Sequence, residues 1–132
     1  MINHLTVRVY FEDTDFSGFA YHGSYVRFLE RGRTELVRAM GISQAELHEH
    51  EGFAFVVRRM ALEYLKPARM DDELVVATRL AEMRGASMIL TQEIARAGEI
   101  LLTAQVTVAA TRRGRATRIP DAVRAAAGGR SG

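Results

Sequence analysis

The 132-residue chain contains no cysteine. This absence excludes a disulfide framework, a thiolate nucleophile, an iron–sulfur cluster and a cysteine-ligated zinc ion. Long apolar runs are also missing, so the sequence predicts no transmembrane helix. The N-terminus lacks the basic and apolar leader of a secretory signal. We therefore expect a cytoplasmic protein that is stabilised by a packed core and has no integral membrane segment.

The composition is typical of one soluble globular domain. Hydrophobic residues make up 48% of the chain and charged residues 26%. A chain of this length buries only about two-thirds of its unfolded surface and gains from self-association. We predict a single domain over residues 1–127, a flexible tail over residues 128–132, and at least a homodimer.

Positive charge is concentrated at the C-terminal end. The formal net charge is +2, but residues 105–132 contain six arginines and one aspartate, whereas residues 1–104 contain twelve basic and fifteen acidic residues. The C-terminal end is therefore the candidate anion-binding region.

Hydrophobic periodicity predicts a strand and then one dominant helix. Apolar residues alternate over residues 4–10, which is typical of a half-buried strand. Over residues 24–40 they recur every three or four residues, which predicts an amphipathic helix that ends at Gly41. Ser43 and Glu46 have the spacing of a capping box, so a short second helix follows.

The rest of the chain is predicted to be mainly β-structure. Four β-rich runs cover residues 53–65, 73–84, 86–96 and 99–111. Short breaks between the runs, including Gly85 and Ala97 with Gly98, predict antiparallel pairing as a meander. An arginine-rich loop or frayed strand end and a last helical turn through Ala127 are expected to follow.

The order of elements predicts an α+β domain, with one long central helix wrapped by a curved five-stranded antiparallel sheet. This arrangement is the hotdog fold. Gly32 supports it, because glycine inside a helix costs roughly 0.8–1 kcal/mol relative to alanine and predicts that another backbone passes close by.

A loop rich in Asp, Thr, Ser and Gly covers residues 12–20, immediately before the long helix. The first amides of a helix lack internal acceptors and lie at the positive end of its dipole. The backbone around His22 and Gly23 is therefore suited to polarise a carbonyl oxygen, which a loop carboxylate could attack directly or through water. Ordinary turn formation explains the same residues, so both interpretations stay open.

Metal binding is not expected. Four loop residues match the first half of a calcium-binding EF-hand loop, but the twelfth position is Ser24 instead of glutamate. His48 and His50 are more typical of a solvated helix end than of a metal site. A serine hydrolase is equally unsupported, since no G-x-S-x-G sequence occurs.

Four arginines follow the last long strand. Guanidinium groups bind phosphate oxygens bidentately, so this cluster suits phosphate recognition as well as it suits a solvated strand end. Its members are Arg112, Arg113, Arg115 and Arg118. Lys66 and Arg69 are weaker candidates for the same role.

A longer pattern lies between Val7 and Arg38, namely Tyr10-x-Glu12-Asp13-Thr14-Asp15-x-x-Gly18-x-x-Tyr21-His22-x-x-Tyr25. It resembles the start of the 4-hydroxybenzoyl-CoA thioesterase family, in particular its Tol-Pal system-associated acyl-CoA thioesterase branch. The segment YLKPARMDDEL, from Tyr64 to Leu74, is also typical of that branch. The resemblance covers nearly the whole chain apart from the tail.

The resemblance implies a hotdog domain that dimerises by joining two sheets, often pairs again into a tetramer, and hydrolyses acyl-CoA at the subunit interface. The family's catalytic carboxylate matches Asp15, and its carbonyl-polarising amide matches His22. Attack through a mixed anhydride and general-base catalysis both stay open. We expect substrate contacts from Tyr21, Gly23, Arg112, Arg113 and Arg115.

Two alternatives accompany this prediction. A rival site uses Glu30 or Glu35 on the central helix, as another hotdog branch does. A different function is a non-hydrolytic module that binds acyl-CoA or acyl carrier protein and recruits an envelope-maintenance partner. No cofactor, metal or nucleic-acid partner is expected, and the acyl specificity is left open.

Overall fold

The computed structural model describes residues 1–128, which form a six-stranded antiparallel sheet, three α-helices and a 3-10 turn over Phe11–Asp13. In chain order the elements are β1 (Ile2–Arg8), α1 (His22–Ala39), α2 (Gln44–Glu51), β2 (Phe53–Tyr64), β3 (Glu73–Met83), β4 (Ser87–Arg96), β5 (Glu99–Arg112), β6 (Arg115–Ala116) and α3 (Asp121–Gly128). The five predicted strands and the main helix are confirmed, with boundaries that shift by at most two residues, but the sheet has a sixth strand, β6, that was not predicted.

The predicted position of β2 is wrong. The strand order is β1-β3-β4-β5-β2, with β6 paired to β5, so only β3, β4 and β5 form a meander. The connection over residues 65–72 is too long for a tight hairpin. The Leu65 amide donates to the Leu101 carbonyl at 2.8 Å, and the Asp71 amide donates to the Val9 carbonyl at 2.7 Å. The connection therefore runs from β5 across to β1, and leaves β2 as an edge strand.

Two tight turns close the hairpins at the other strand ends. Ala97 (φ 48°) and Gly98 (φ 84°) join β4 to β5, in the left-handed conformation that two-residue hairpins require. Arg113 (φ 52°) and Gly114 (φ 80°) do the same between β5 and β6. The arginine-rich stretch, expected to be a loop or a frayed strand end, is thus an ordered hairpin.

The core lies between α1 and the facing side of the sheet. Gly32 marks the closest approach, because a Cβ atom there would lie 2.7 Å from both the Thr78 Oγ1 and the Val76 Cγ1 atoms. Side chains of β3, and not a second backbone as predicted, make this contact. Register shifts in the pairs β2–β5, β3–β4 and β4–β5 accompany the curvature of the sheet around α1.

The C-terminal segment docks on the β3–β4 turn. The Ile119 amide donates to the Gly85 carbonyl at 2.9 Å, and the Arg124 guanidinium donates to the carbonyls of Arg84 and Gly85 at 2.6 and 2.7 Å. Gly128, predicted to begin the tail, is the last residue of α3. The rest of the predicted tail lies outside the described residues. No helix within residues 1–128 is long and apolar enough to cross a membrane.

Candidate active site

The candidate site is the loop between β1 and α1, which is held closed by a backbone bridge between Thr14 and Ala20. The Asp15 amide donates to the Phe19 carbonyl at 3.1 Å, within this closed loop. Asp15 and His22 both lie within two residues of the bridge. The chain thus brings the predicted carboxylate close to the start of the helix.

Asp15 is exposed, and one of its oxygens is fixed by its neighbour. The Oδ1 atom accepts hydrogen bonds from the Ser17 hydroxyl at 2.5 Å and from the Ser17 amide at 2.8 Å. These two bonds, the hydroxyl first, lower the pKa of Asp15 below its usual value, and the nearby His22 adds a smaller effect in the same direction. Asp15 is therefore ionised at neutral pH.

The start of α1 presents two backbone donors. Tyr21 is the N-cap residue and provides no side-chain cap. Its own amide donates to the Asp13 carbonyl at 2.8 Å, and the Ser24 amide donates to the Tyr21 carbonyl at 2.8 Å. Between them, the amides of His22 and Gly23 have no acceptor within the described chain. These are the donors that a carbonyl oxygen would meet.

Tyr21 and Gly23 are packed against each other. A Cβ atom on Gly23 would lie 2.7 Å from the Tyr21 Cε2 atom, so only glycine lets the ring occupy this position without a shift. The Tyr21 ring also lies 4.2 Å from the His22 ring, centroid to centroid. The predicted substrate-contact residues Tyr21 and Gly23 are therefore brought together with His22 at the helix start.

Two tyrosines that the sequence argument gave no role hold the helix start in place. The Tyr64 hydroxyl, at the end of β2, donates to the His22 carbonyl at 3.0 Å. The Tyr25 hydroxyl is buried and accepts from the Ala68 amide at 2.9 Å. Burial, and to a smaller extent Tyr25, raises the pKa of Tyr64. Both residues stand in the quoted patterns, but their contacts are long-range and leave no local signal.

The connection between β2 and β3 forms a wall beside the loop. The Ala20 amide donates to the Ala68 carbonyl at 2.8 Å, and Phe19 pairs with Arg69 as an isolated bridge. The Arg69 guanidinium also lies 5.2 Å from the centre of the Phe19 ring. A carboxylate, two free amides and an aromatic surface thus converge at one end of α1, an arrangement suited to attack on a polarised carbonyl.

Comparison with known proteins identifies the family. The thioesterase-like superfamily matches residues 9–127. The chain belongs to this superfamily. It is 52% identical to the acyl-CoA thioester hydrolase YbgC of Escherichia coli O6:H1 over 96 residues, which are 73% of this chain and 71% of that protein. The resemblance found in the sequence is confirmed.

Two further comparisons agree. The acyl-CoA thioesterase YbgC of Haemophilus influenzae is 43% identical over 103 residues, which are 78% of this chain and 76% of that protein. The crystal structure of a probable thioesterase from Bartonella henselae superposes with a TM-score of 0.87 at 37% identity, and covers 91% of this chain and 100% of that chain. The predicted hotdog fold is thus confirmed for this member of the thioesterase-like superfamily.

The predicted phosphate-binding arginines of this thioesterase-like chain do not lie beside Asp15. Arg112 is opposite Phe53, the first residue of β2, whereas the candidate site lies at Tyr64, the last residue of that strand. Arg112 pairs with Glu51 at 2.8 Å, and Arg113 and Arg115 are exposed. The weaker candidates, Lys66 and Arg69, lie in the connection next to the loop.

Proposed function

We propose that this protein hydrolyses acyl-CoA thioesters, with Asp15 as the catalytic carboxylate and the amides of His22 and Gly23 as the groups that polarise the thioester carbonyl. One observation carries the proposal: an ionised, exposed carboxylate lies close to two helix amides that have no acceptor in the described chain. The activities named for the YbgC relatives, at 52% and 43% identity, support the same reaction.

The geometry supports the reaction by either of two routes. Either Asp15 takes a proton from water, whose oxygen attacks the carbonyl carbon, or the Asp15 carboxylate attacks that carbon itself and water then cleaves the anhydride. In both routes the carbon–sulfur bond breaks, the CoA thiolate leaves, and the acyl group ends as a free acid. The two amides would stabilise the negative oxygen that forms during attack.

The test measures free thiol released from a panel of short, long and aromatic acyl-CoA esters. Asp15→Asn should lower kcat by roughly 10²- to 10⁴-fold with little change in KM, because it removes the charge and keeps the shape. Glu12→Gln, in the same exposed loop, is the matched control and should retain activity. Near-wild-type turnover by folded Asp15→Asn protein contradicts the proposal.

The rival carboxylates on α1 are tested in the same assay. Glu35 is paired with Arg38, and Glu30 lines a cavity of about 170 Å³ between α1 and the sheet. Loss of turnover in Glu30→Gln or Glu35→Gln, together with an active Asp15→Asn variant, would assign the catalytic carboxylate to helix α1 instead of the loop. Clear acyl-CoA binding without thiol release from any ester would favour the non-hydrolytic module.

We further propose that the protein acts as a homodimer joined through β2. This strand is paired on one side only, and Val56 and Val57 on it are 44% and 46% exposed. An open edge of this kind favours pairing with another strand. A tetramer and a role with the Tol-Pal system stay predictions of the resemblance. A cytoplasmic location stays a prediction of the sequence, and the use of acyl carrier protein thioesters stays an open alternative. Light scattering tests the tetramer, cell fractionation tests the location, and carrier-protein substrates test the alternative.

A further inference from the structure

Each of the two free amides at the start of α1 belongs to a peptide group whose carbonyl oxygen accepts a hydrogen bond. The His22 amide shares its peptide group with the Tyr21 carbonyl, which accepts from the Ser24 amide at 2.8 Å. The Gly23 amide shares its peptide group with the His22 carbonyl, which accepts from the Tyr64 hydroxyl at 3.0 Å. A main-chain donor thus serves the first group, and a side chain from β2 serves the second.

Neither partner requires the hydrogen bond between Tyr64 and His22 for its own burial. His22 is the first residue of α1, and in an α-helix the carbonyl of residue i accepts from the amide of residue i+4. Tyr64 is 48% exposed, so water can supply a partner for its hydroxyl. The bond therefore adds a second donor to this carbonyl, and its consequence lies in the peptide group that it polarises.

Packing holds the Tyr64 hydroxyl at this carbonyl. The Tyr64 ring lies edge-on to the Tyr25 ring, with 5.5 Å between centroids and 74° between planes. Tyr25 is itself only 3% exposed, and its hydroxyl accepts from the Ala68 amide at 2.9 Å. Burial, and to a smaller extent Tyr25, raises the pKa of Tyr64 above its usual value. The phenol therefore keeps its proton at neutral pH and acts as a donor.

Donation to the His22 carbonyl strengthens the Gly23 amide as a hydrogen-bond donor. The carbonyl and the amide are parts of one planar, conjugated group, so a hydrogen bond at the oxygen draws electron density from the nitrogen. Linked hydrogen bonds of this kind strengthen one another by roughly 10–30% per bond. The gain is larger for a charged acceptor than for a neutral one. The negative oxygen formed during attack therefore benefits more than the thioester carbonyl does.

We infer that Tyr64 is a positioning residue for thioester hydrolysis. Its hydroxyl orients and polarises the peptide group between His22 and Gly23, so that the Gly23 amide stabilises the negative oxygen of the attacked carbonyl. The inference rests on the proposed function. It gives β2 a part in transition-state stabilisation through the backbone of α1, without contact between Tyr64 and the substrate.

Tyr64→Phe tests the inference, because it removes the hydroxyl and keeps the ring that packs on Tyr25. In the thiol-release assay, kcat should fall by about 3- to 10-fold with KM changed by less than about 2-fold, since the polarisation acts mainly in the transition state. Removal of a direct oxyanion donor costs more, roughly 10²- to 10³-fold in kcat. Tyr10→Phe removes a hydroxyl from an exposed tyrosine next to the loop. This matched control should leave both constants unchanged.

A spectroscopic measurement reports on the peptide group directly. His22 is the only histidine in the chain that is followed by glycine. Protein labelled with carbonyl-¹³C histidine and ¹⁵N glycine therefore gives one carbonyl–nitrogen cross-peak by NMR. Tyr64→Phe should move both resonances of this cross-peak upfield, because the carbonyl oxygen loses a donor. Tyr10→Phe should leave the cross-peak in place, and an unchanged urea midpoint for Tyr64→Phe should separate polarisation from a general loss of structure.

Three results overturn the inference while the proposed function stands and Asp15→Asn is inactive. An unchanged kcat in Tyr64→Phe means that the hydroxyl makes no contribution to turnover. A KM that rises as much as kcat falls means that Tyr64 acts on substrate binding. A cross-peak that stays in place means that the hydroxyl does not polarise the peptide group. Failure of the proposed function is distinguishable, because Asp15→Asn then remains active while the cross-peak still reports on Tyr64.

Discussion

At the scale of single residues, Asp13 has a structural role in the loop, whereas Asp15 is exposed. Asp13 is only 4% exposed. Its carboxylate accepts from the Tyr10 amide at 2.8 Å and from the Arg27 guanidinium at 3.1 Å. Its carbonyl accepts from the Ser24 hydroxyl at 2.9 Å. Arg27 also donates to that hydroxyl, so a closed ring of contacts joins the loop to α1.

We predict that Arg27→Met destabilises the folded protein by about 1–2 kcal/mol, because it leaves the buried Asp13 carboxylate without its cation, although the half-exposed arginine limits the loss. Arg27→Lys should recover part of this free energy. Urea denaturation followed by circular dichroism measures both. The control Arg38→Met removes an exposed ion pair from the same helix and should cost less than about 0.5 kcal/mol. Equal losses in the free energy of unfolding for Arg27→Met and Arg38→Met would contradict the stabilising role of the contacts that join the loop to α1.

The pKa of Asp15 gives a prediction for the pH dependence of activity. The Ser17 hydrogen bonds lower this pKa in the folded state, so the ionised form persists to lower pH than in a free carboxyl group. Any stabilisation of the folded state by the ionised Asp15 carboxylate is present above the unfolded-state pKa of this group. It is lost as the pH falls through the lower folded-state pKa. Ser17→Ala removes the hydroxyl bond and should move the acid limb of kcat/KM to higher pH, whereas Ser17→Thr should keep it in place. Coincident pH profiles for the three proteins would show that Ser17 does not tune Asp15.

At the scale of elements, the sequence correctly predicted the helices, strands and turns whose formation depends on residues close together in the chain. The alternation of apolar residues over residues 4–10 correctly predicted strand β1. The glycine at position 98 correctly predicted the tight turn between β4 and β5. The position of β2 depends instead on hydrogen bonds between the 65–72 connection and residues far away in the chain, such as Val9 and Leu101. Periodicity carries no information on such partners, so the predicted four-stranded meander was wrong.

The same distinction applies to the site. Asp15 and His22 are seven positions apart, so their proximity follows from one loop and one helix start. Tyr64 and Ala68 reach the loop only through the folded sheet, and the first is 42 positions from His22. The arginine hairpin could be recognised as a charge cluster, but its distance from Asp15 depends on strand order and was not predictable from composition.

At the scale of the whole molecule, the candidate reacting groups and the concentrated positive charge lie toward different ends of β2. The candidate reacting groups lie at the start of α1, and the concentrated positive charge lies on the β5–β6 hairpin near the start of β2. In the proposed dimer, an antiparallel partner on β2 would bring unlike ends together. Dimer formation and substrate binding are therefore expected to be lost together.

We therefore predict that the wild-type protein is at least a dimer at micromolar concentration and that Val57→Glu disrupts it. Val57 lies on β2 and is 46% exposed, so two glutamates would be brought close together across the proposed interface. Light scattering should show at least a 10-fold weaker dimer, and thiol release should fall in parallel. Ile2→Glu is the matched control, since Ile2 is 44% exposed on the other edge strand, β1. A monomeric wild-type protein would contradict the dimer, and dissociation by Ile2→Glu but not by Val57→Glu would move the interface to β1.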